Sequence, residues 1–254
     1  TTYTDGATMF PQQITTAATW NPKNAYNMAM VSAYETRASS IPWNFSPVLD
    51  LGLDPRFPRQ FESFGEDPLL VKTFGEAMIS GYQGDSNQVH NKTKIAACMK
   101  HFIGYHATIT GKDRTPSYIP DHVLSEYHIP SFKAAIDAGA KTIMINSGII
   151  NGIPVHSSYK ILTDLLRNQL GFEGVILTDW EDINKLHDRD KIVSSKKEAI
   201  RLAINSGIDM SMVPYEYEEF IDNLMDLVNE GKVTMDRIDE AVSKILKLKL
   251  ILVM

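Results

Sequence analysis

The run GVILTD at residues 174–179 is of strand length, apolar without alternation, and ends on a carboxylate. A strand that is apolar on both faces needs cover on both, which calls for a parallel sheet with helices laid against it. Four further runs read as strands: WNFSPVLDL (43–51), KIAACMKHF (94–102), KTIMINS (141–147) and GIDMSMV (207–213). Helix-period sequence follows each run, at 67–84, 123–139, 159–171, 196–207 and 217–231. Another helical stretch, from about Thr15 to Ala38, precedes the first strand. A last one, with Asp236, Asp239 and Glu240 in its first turns, runs to the C-terminus. Gly139, Gly171 and Gly207 stand where left-handed helix caps would turn the chain into the next strand.

Repeated strand–helix units either close into a (β/α)8 barrel or stay an open doubly wound sheet. No Gly-x-Gly-x-x-Gly and no Gly-x-x-x-x-Gly-Lys-Ser/Thr opens any helix here, so a nucleotide-binding open sheet loses support. The expectation is an α/β fold, with a (β/α)8 TIM-like barrel as one outcome. Five readable strands against a full barrel's eight count against a complete one. At 254 residues and 43% hydrophobic the chain can bury a full core. Neither a low-complexity tract nor a Pro/Gly linker divides it, so residues 1–254 are expected to be a single (β/α) barrel domain.

Charge and composition exclude several classes. A formal charge of −6, with no basic run denser than SSKKE, argues against nucleic acid as a partner. No apolar stretch approaches the roughly 18 residues of a membrane helix, so no membrane partner is expected. Cys98 is the only cysteine and reads as a small buried hydrophobe, with no disulfide framework and no cysteine metal cluster. His-Glu-x-x-His is absent, no histidine pair has zinc spacing, and no metal or organic cofactor is implied. His106, His122, His128 and His156 read as structural or exposed. The start, TTYTDGATMFPQQ, has neither a charged n-region nor an apolar h-region and no initiator methionine, as in a mature form or a trimmed fragment.

A barrel gathers its active site at the C-terminal ends of its strands. Those ends carry Asp50 and Asp54, Lys100-His101, Asn146-Ser147, and Asp179-Trp180-Glu181-Asp182. Beside the first lies DPRFPRQFESFGEDP, with Arg56, Arg59, Glu62, Glu66 and Asp67. Each group has a plain structural alternative. Asp179 could cap the helix that follows. Lys100-His101 could be a polar strand end whose lysine is paired with an acid, and the arginine–acid block could be a surface salt-bridge cluster. Taken together the set suits a sugar, whose hydroxyls are held by charged side chains beside an aromatic surface. A carboxylate kept ionised among cations suits a nucleophile.

Four ordered blocks covering nearly the whole chain resemble glycoside hydrolase family 3, of the β-glucosidase type. DPRFPRQFESFGEDP is similar to the family's Asp-Pro-Arg-Trp-Gly-Arg…Glu-Ser-Phe-Gly-Glu-Asp, and KHFIGY to its Lys-His-Phe-x-Gly-Tyr. GVILTDW resembles its nucleophile strand, and SGIDMSM its Ala-Gly-x-Asp-Met strand. The resemblance implies an exo-acting retaining β-glucosidase that removes terminal non-reducing β-linked glucose from oligosaccharides or glucosides. It makes Asp179 the nucleophile of a covalent glycosyl-enzyme, with a second carboxyl about 5 Å away acting as acid and then base. It further implies that Trp180 stacks at the aglycone side, that Lys100, His101 and Arg59 hold sugar hydroxyls, and that the protein is periplasmic or secreted.

The chain also departs from the family pattern. Phe57-Pro58 stands where the family has Trp-Gly, which is expected to alter the turn that carries Arg59. Asn146-Ser147 replaces Ser-Tyr, so one aromatic wall of the sugar pocket is expected to be missing. The family's Asp-x-Val-His-Gly block belongs just before Thr1, so the resemblance implies a chain that begins within the barrel, an α/β (β/α)8 TIM-like barrel incomplete at its N-terminal strands. In two-domain members the acid/base is a glutamate on a C-terminal α/β domain, and no residue here carries over to it. A branch of β-N-acetylglucosaminidases uses a His and an Asp on the loop after Lys-His-Phe. That loop here offers His106 and Asp113 without the branch's motifs. A third reading is a non-catalytic sugar-binding barrel fragment lacking its acid/base domain. An edge strand opened by missing neighbours is expected to pair or aggregate unless it is covered.

Overall fold

The computed structural model describes residues 5–84 and 88–253, so the polar start at residues 1–4 lies outside the described residues. Its strands are β1 (Cys98–Phe102), β2 (Thr142–Ile145), a short hairpin of β3 (Ile149–Ile150) and β4 (Ile153–Pro154), and β5 (Val175–Leu177). β1, β2 and β5 pair side by side in parallel. The two outermost runs of the sequence reading join them through single parallel bridges. Trp43 meets Ala96 and Val48 meets Lys100 on one side, and Leu177 meets Met210 on the other. All five runs therefore lie next to one another in chain order, as the successive strands of a barrel do.

Helices separate the strands. They are α1 (Gln13–Ala17), α2 (Pro22–Ala38), α3 (Pro68–Gln83), α4 (Asp121–Val123), α5 (Ile129–Asp137), α6 (Asp182–Asp188), α7 (Lys196–Ser206), α8 (Tyr217–Asn229) and α9 (Met235–Ile251). A π turn at Leu124–His128 joins α4 to α5, next to Pro130, whose missing N–H cannot continue a regular ladder. A further π-helical stretch, Lys160–Gln169, precedes β5. Asp67 caps α3 by accepting from the Leu69 and Leu70 N–H groups, with Pro68 in the first turn. The three glycines expected to end helices all have positive φ: 88° at Gly139, 72° at Gly171 and 119° at Gly207. The single helix expected over Thr15 to Ala38 is instead two. Trp20 is left-handed (φ 52°), Asn21 accepts from the Lys23 N–H, and Pro22 opens a new helix.

Two apolar layers result. Facing the helices, Leu49, Met99, Ile143, Ile145, Ile176 and Ile208 share one core with Phe74, Phe132, Leu162, Ile200 and Leu227. On the other face Trp43, Cys98, Met144, Leu177 and Met212 meet in a small cluster. Side chains from all five runs reach that cluster, and Trp43 Nε1 donates to Thr142 Oγ1 at 2.8 Å, past the whole of β1. The sheet is therefore rolled about these residues, like a barrel wall around its interior layers.

Two polar devices hold this wall. Asp209 sits in the last run with its side chain 1% exposed. Its Oδ2 accepts from Arg167 Nη2 and from the Ile176 N–H (2.9 Å), and its Oδ1 accepts from Arg237 Nη2 (3.0 Å), so two helices are pinned to the sheet. At the opposite edge the buried Gln13 side chain donates to the Val48 carbonyl at 2.8 Å and accepts the Val48 N–H at 3.0 Å. A side-chain amide occupies the place where another strand's peptide group would bond.

Candidate active site

The mouth of the rolled sheet lies where the interior turns from apolar to polar. Along β1 Cys98 gives way to Lys100, in the next run Met144 gives way to Asn146, and in the next Leu177 gives way to Asp179. The period-2 alternation of a strand puts each such pair on one face. β1 shifts register against β2 between Met99 and Phe102, where the Lys100–His101 and Phe102–Ile103 peptides are cis.

Asp179 does not cap α6. Its Oδ1 accepts the Trp180 N–H at 2.7 Å, whereas Glu181 in a left-handed conformation (φ 56°) precedes that helix without a side-chain cap. Asp179 Oδ2 accepts from Arg114 Nη2 at 3.3 Å. Arg114 is aimed by two other groups: Nη1 donates to Asp113 Oδ2 at 2.7 Å and Nε to Ser147 Oγ at 3.1 Å. Ser147 in turn donates to Asp182 Oδ1 at 2.6 Å, and Lys185 Nζ donates to the same oxygen at 2.9 Å. Against desolvation, the nearby His156, then Lys185 and the Ser147 hydroxyl, hold the buried Asp182 carboxyl below its ordinary range.

His101 is enclosed, and Asp50 fixes it. One Asp50 oxygen accepts the His101 N–H at 2.8 Å and lies 3.0 Å from Nδ1, while the other accepts the Tyr105 N–H at 3.2 Å. Burial pushes the Asp50 carboxyl up to about 7, against the pull of those backbone donors. Burial, reinforced by Lys100 and Arg59, holds the His101 imidazole well below its usual value, so the ring is neutral. An imidazole donating Nδ1–H to Asp50 keeps Nε2 as an acceptor.

Arg59 forks onto Glu62 at 2.6 and 2.7 Å and donates to the Tyr105 hydroxyl at 3.0 Å. Burial works against its charge, but Glu62 and Tyr105 outweigh that and raise it. Phe57 is buried against Tyr105, with ring centroids 5.4 Å apart, and the Arg59 guanidinium lies over that same Tyr105 ring at 5.4 Å. Tyr105 also donates to Asp113, which makes one bonded path of Arg59, Tyr105, Asp113, Arg114 and Asp179. Lys100 has no carboxylate at ion-pair distance among the described residues. Burial and the charge of Arg59 pull it below a usual lysine, while Glu62 and Asp179 oppose that. Beside Lys100 and Glu62 opens a cavity of about 610 Å³ walled by Trp43, Phe45, Phe61 and Tyr82.

Arg59, Lys100, His101 and Asp179 are thus brought together, and Trp180 stands on the rim. The residue is 44% exposed and its ring meets Tyr215 edge-on at 5.9 Å. The arginine–acid block divides by role. Arg56 pairs with Asp54 at the surface, Asp67 caps α3, and Arg59 with Glu62 faces the mouth. Arg114 was not singled out from the sequence. It lies mid-loop with φ 56° and reaches a carboxylate 65 residues away, a contact no local spacing encodes.

One group could in principle hold a cation. Ligand atoms of Asp50, His101 and His106 lie within 4.8 Å of one another, a set that sequence spacing did not reveal. Both Asp50 oxygens are already bonded by backbone N–H groups, so the arrangement orients His101. His106 is 1% exposed beneath Phe57 (4.5 Å), with neither ring nitrogen bonded, and burial takes it down to about 3. Cys98 is fully buried, as expected.

The sequence matches the model of the Glycosyl hydrolase family 3 N terminal domain over residues 1–248. It is similar to the lysosomal beta glucosidase of Dictyostelium discoideum, 45% identical over 251 residues that cover 97% of this chain and 30% of that protein. It is similar also to the periplasmic beta-glucosidase of Salmonella typhimurium, at 31% over 242 residues, 95% of this chain and 31% of that one. The fold superposes on the crystal structure of beta-glucosidase from Listeria innocua with a TM-score of 0.92 and 34% identity, covering 96% of this chain and 33% of that one. The α/β TIM-barrel-like fold is thereby established, and the chain spans about a third of the length of these relatives.

Proposed function

This chain belongs to glycosyl hydrolase family 3, and we propose that residues 1–254 act as a single barrel catalytic domain that cleaves β-glucosides with retention. The observation that carries the reading is the setting of Asp179. A carboxylate ends an interior strand at the barrel mouth, free of any capping duty, with a guanidinium on one oxygen and a backbone N–H on the other. A nucleophile needs such a place: paired with a cation, fixed, and beside donors for the sugar.

In the proposed reaction Asp179 attacks the anomeric carbon as the bond to the aglycone oxygen breaks, giving a glycosyl ester. Water then attacks that carbon, and the electron pair of the ester bond returns to the carboxylate. Lys100, Arg59 and the acceptor nitrogen of His101 hold the terminal glucose, and exposed Trp180 forms a platform for the aglycone. The general acid/base is assigned to a C-terminal α/β domain of the parent chain. His106 packs on Phe57 with no hydrogen bond to Asp113, its counterpart in that branch's pair, which weakens the N-acetylglucosaminidase reading. A periplasmic or secreted site of action follows the periplasmic relative. Among the described residues no helix is long and apolar enough to cross a membrane.

The test is incubation with a 2-deoxy-2-fluoro β-glucoside bearing a very good leaving group, followed by intact and peptide mass. Such a reagent requires the nucleophile and little acid assistance. A stoichiometric adduct on the peptide containing Asp179 is expected, faster than with the matching xyloside, which lacks the C6 hydroxymethyl. Folded chain without adduct would instead support a sugar-binding barrel that turns nothing over alone.

A further inference from the structure

We infer that Arg114 is a positioning residue that governs how readily Asp179 is released from a glycosyl ester, an inference that rests on the nucleophilic role proposed for Asp179. Of the contacts described above, only that of Arg114 places a side-chain cation on an Asp179 oxygen. Its side chain is 32% exposed, and its other donors are committed to Asp113 and Ser147. Ser147 is held by Asp182, and the Ser147 carbonyl accepts from Arg189 Nη2 at 2.8 Å. The guanidinium is therefore fixed from two sides before any substrate arrives. Ser147 stands where the family pattern has an aromatic wall, so that position supports the cation.

A cation so placed acts unequally on the two half-reactions. When Asp179 forms its bond to the anomeric carbon, the carboxylate charge is consumed and the aglycone leaves with the electron pair of its own bond. When water attacks that carbon, the ester bond breaks, its pair returns to Asp179 as a carboxylate, and the proton from water passes to solvent. Arg114 favours the charged carboxylate over the neutral ester. It therefore restrains ester formation and assists ester breakdown, because only interactions that differ between states change a rate. A residue that merely held the loop in place would slow both steps alike.

The experiment follows the 2-fluoroglucosyl adduct by intact mass in wild type, Arg114→Met and Arg114→Lys, measuring its formation and, after removal of reagent, its loss to water. In Arg114→Met, loss is expected to slow about fivefold, the size of a partly exposed charge-assisted hydrogen bond, with formation slowed less or quickened. Arg114→Lys is expected to recover most of the difference. Equal slowing of both steps, or unchanged loss, overturns the inference. A second readout needs no turnover: the Arg114 guanidinium ¹⁵N resonance in wild type and in Asp179→Asn. If wild type forms no adduct, the glycosidase reading of this chain falls. A resonance that moves in Asp179→Asn then upholds the clamp, and one that stays in place overturns it as well.

Discussion

Asp209→Ala tests whether the two arginines at the back of the barrel are held by one carboxylate. The variant removes three acceptor contacts at a side chain that is 1% exposed, and leaves Arg167 and Arg237, each 13% exposed, without their shared counterion. Breaking a buried ion pair from one side costs about 3–5 kcal/mol. Each guanidinium keeps carbonyl partners, Arg167 at Phe172 and Gly174 and Arg237 at Ile204 and Ile208. Those contacts place the ion-pair cost at the lower end, about 3 kcal/mol. The orphaned Ile176 N–H adds about 1 kcal/mol or more. The expected total of about 4 kcal/mol is a large part of a domain's net stability, about 5–15 kcal/mol. Urea unfolding followed by circular dichroism reads it directly. With a slope of about 3 kcal/mol per molar, the midpoint should fall by more than about 1 M. Asp121→Ala, which breaks an exposed pair with Lys160, serves as the control and should leave the midpoint in place. A fall in Asp209→Ala no larger than the control's would refute the reasoning.

His128 is 3% exposed, and burial brings it down to about 4. Its folded value lies below its unfolded one, so the stability it contributes is present above about pH 6.5 and is lost as the pH falls through 4. His128→Leu should therefore flatten the pH dependence of unfolding free energy between pH 7 and 4 by on the order of 3 kcal/mol; an unchanged slope would contradict this. Gln13→Ala strips Val48 of both backbone partners in a buried setting, at a cost of about 1–3 kcal/mol. The chain is expected to self-associate through this flank, and the variant to do so at lower concentration. Light scattering that shows identical monomers for both across a concentration series would count against it.

The order of the fold was legible because a parallel sheet demands runs apolar on both faces, and all five lie side by side. Asp179, Lys100 and His101 were legible because strand ends are positions a reader can count to, and the barrel rule says what collects there. Arg114 and Gln13 were not. Each acts on a residue tens of positions away through a contact that only folding creates, and neither breaks a local pattern. The helix break at Trp20–Pro22 was legible in principle, since Asn21-Pro22 is a cap followed by a first-turn proline. Helical periodicity on both sides of it masked the boundary. The arginine–acid block divided only in three dimensions, because a charge cluster reads alike whether its members face solvent, a helix end or a cleft.

The Gln13 amide has a meaning for anyone who would engineer this flank. A primary amide carries a peptide group's donor and acceptor, so it imitates one rung of a sheet without dictating register. A designed strand peptide offered to Val48 would meet an incumbent, and its first two hydrogen bonds would be exchanged for Gln13's at nearly no net gain. Affinity would have to come from side chains filling the hollow beside Trp43 and Phe45. Removing the incumbent by Gln13→Ala turns the same seam from a competitive seat into a vacant one, giving a built-in means of tuning how tightly the barrel accepts a strand.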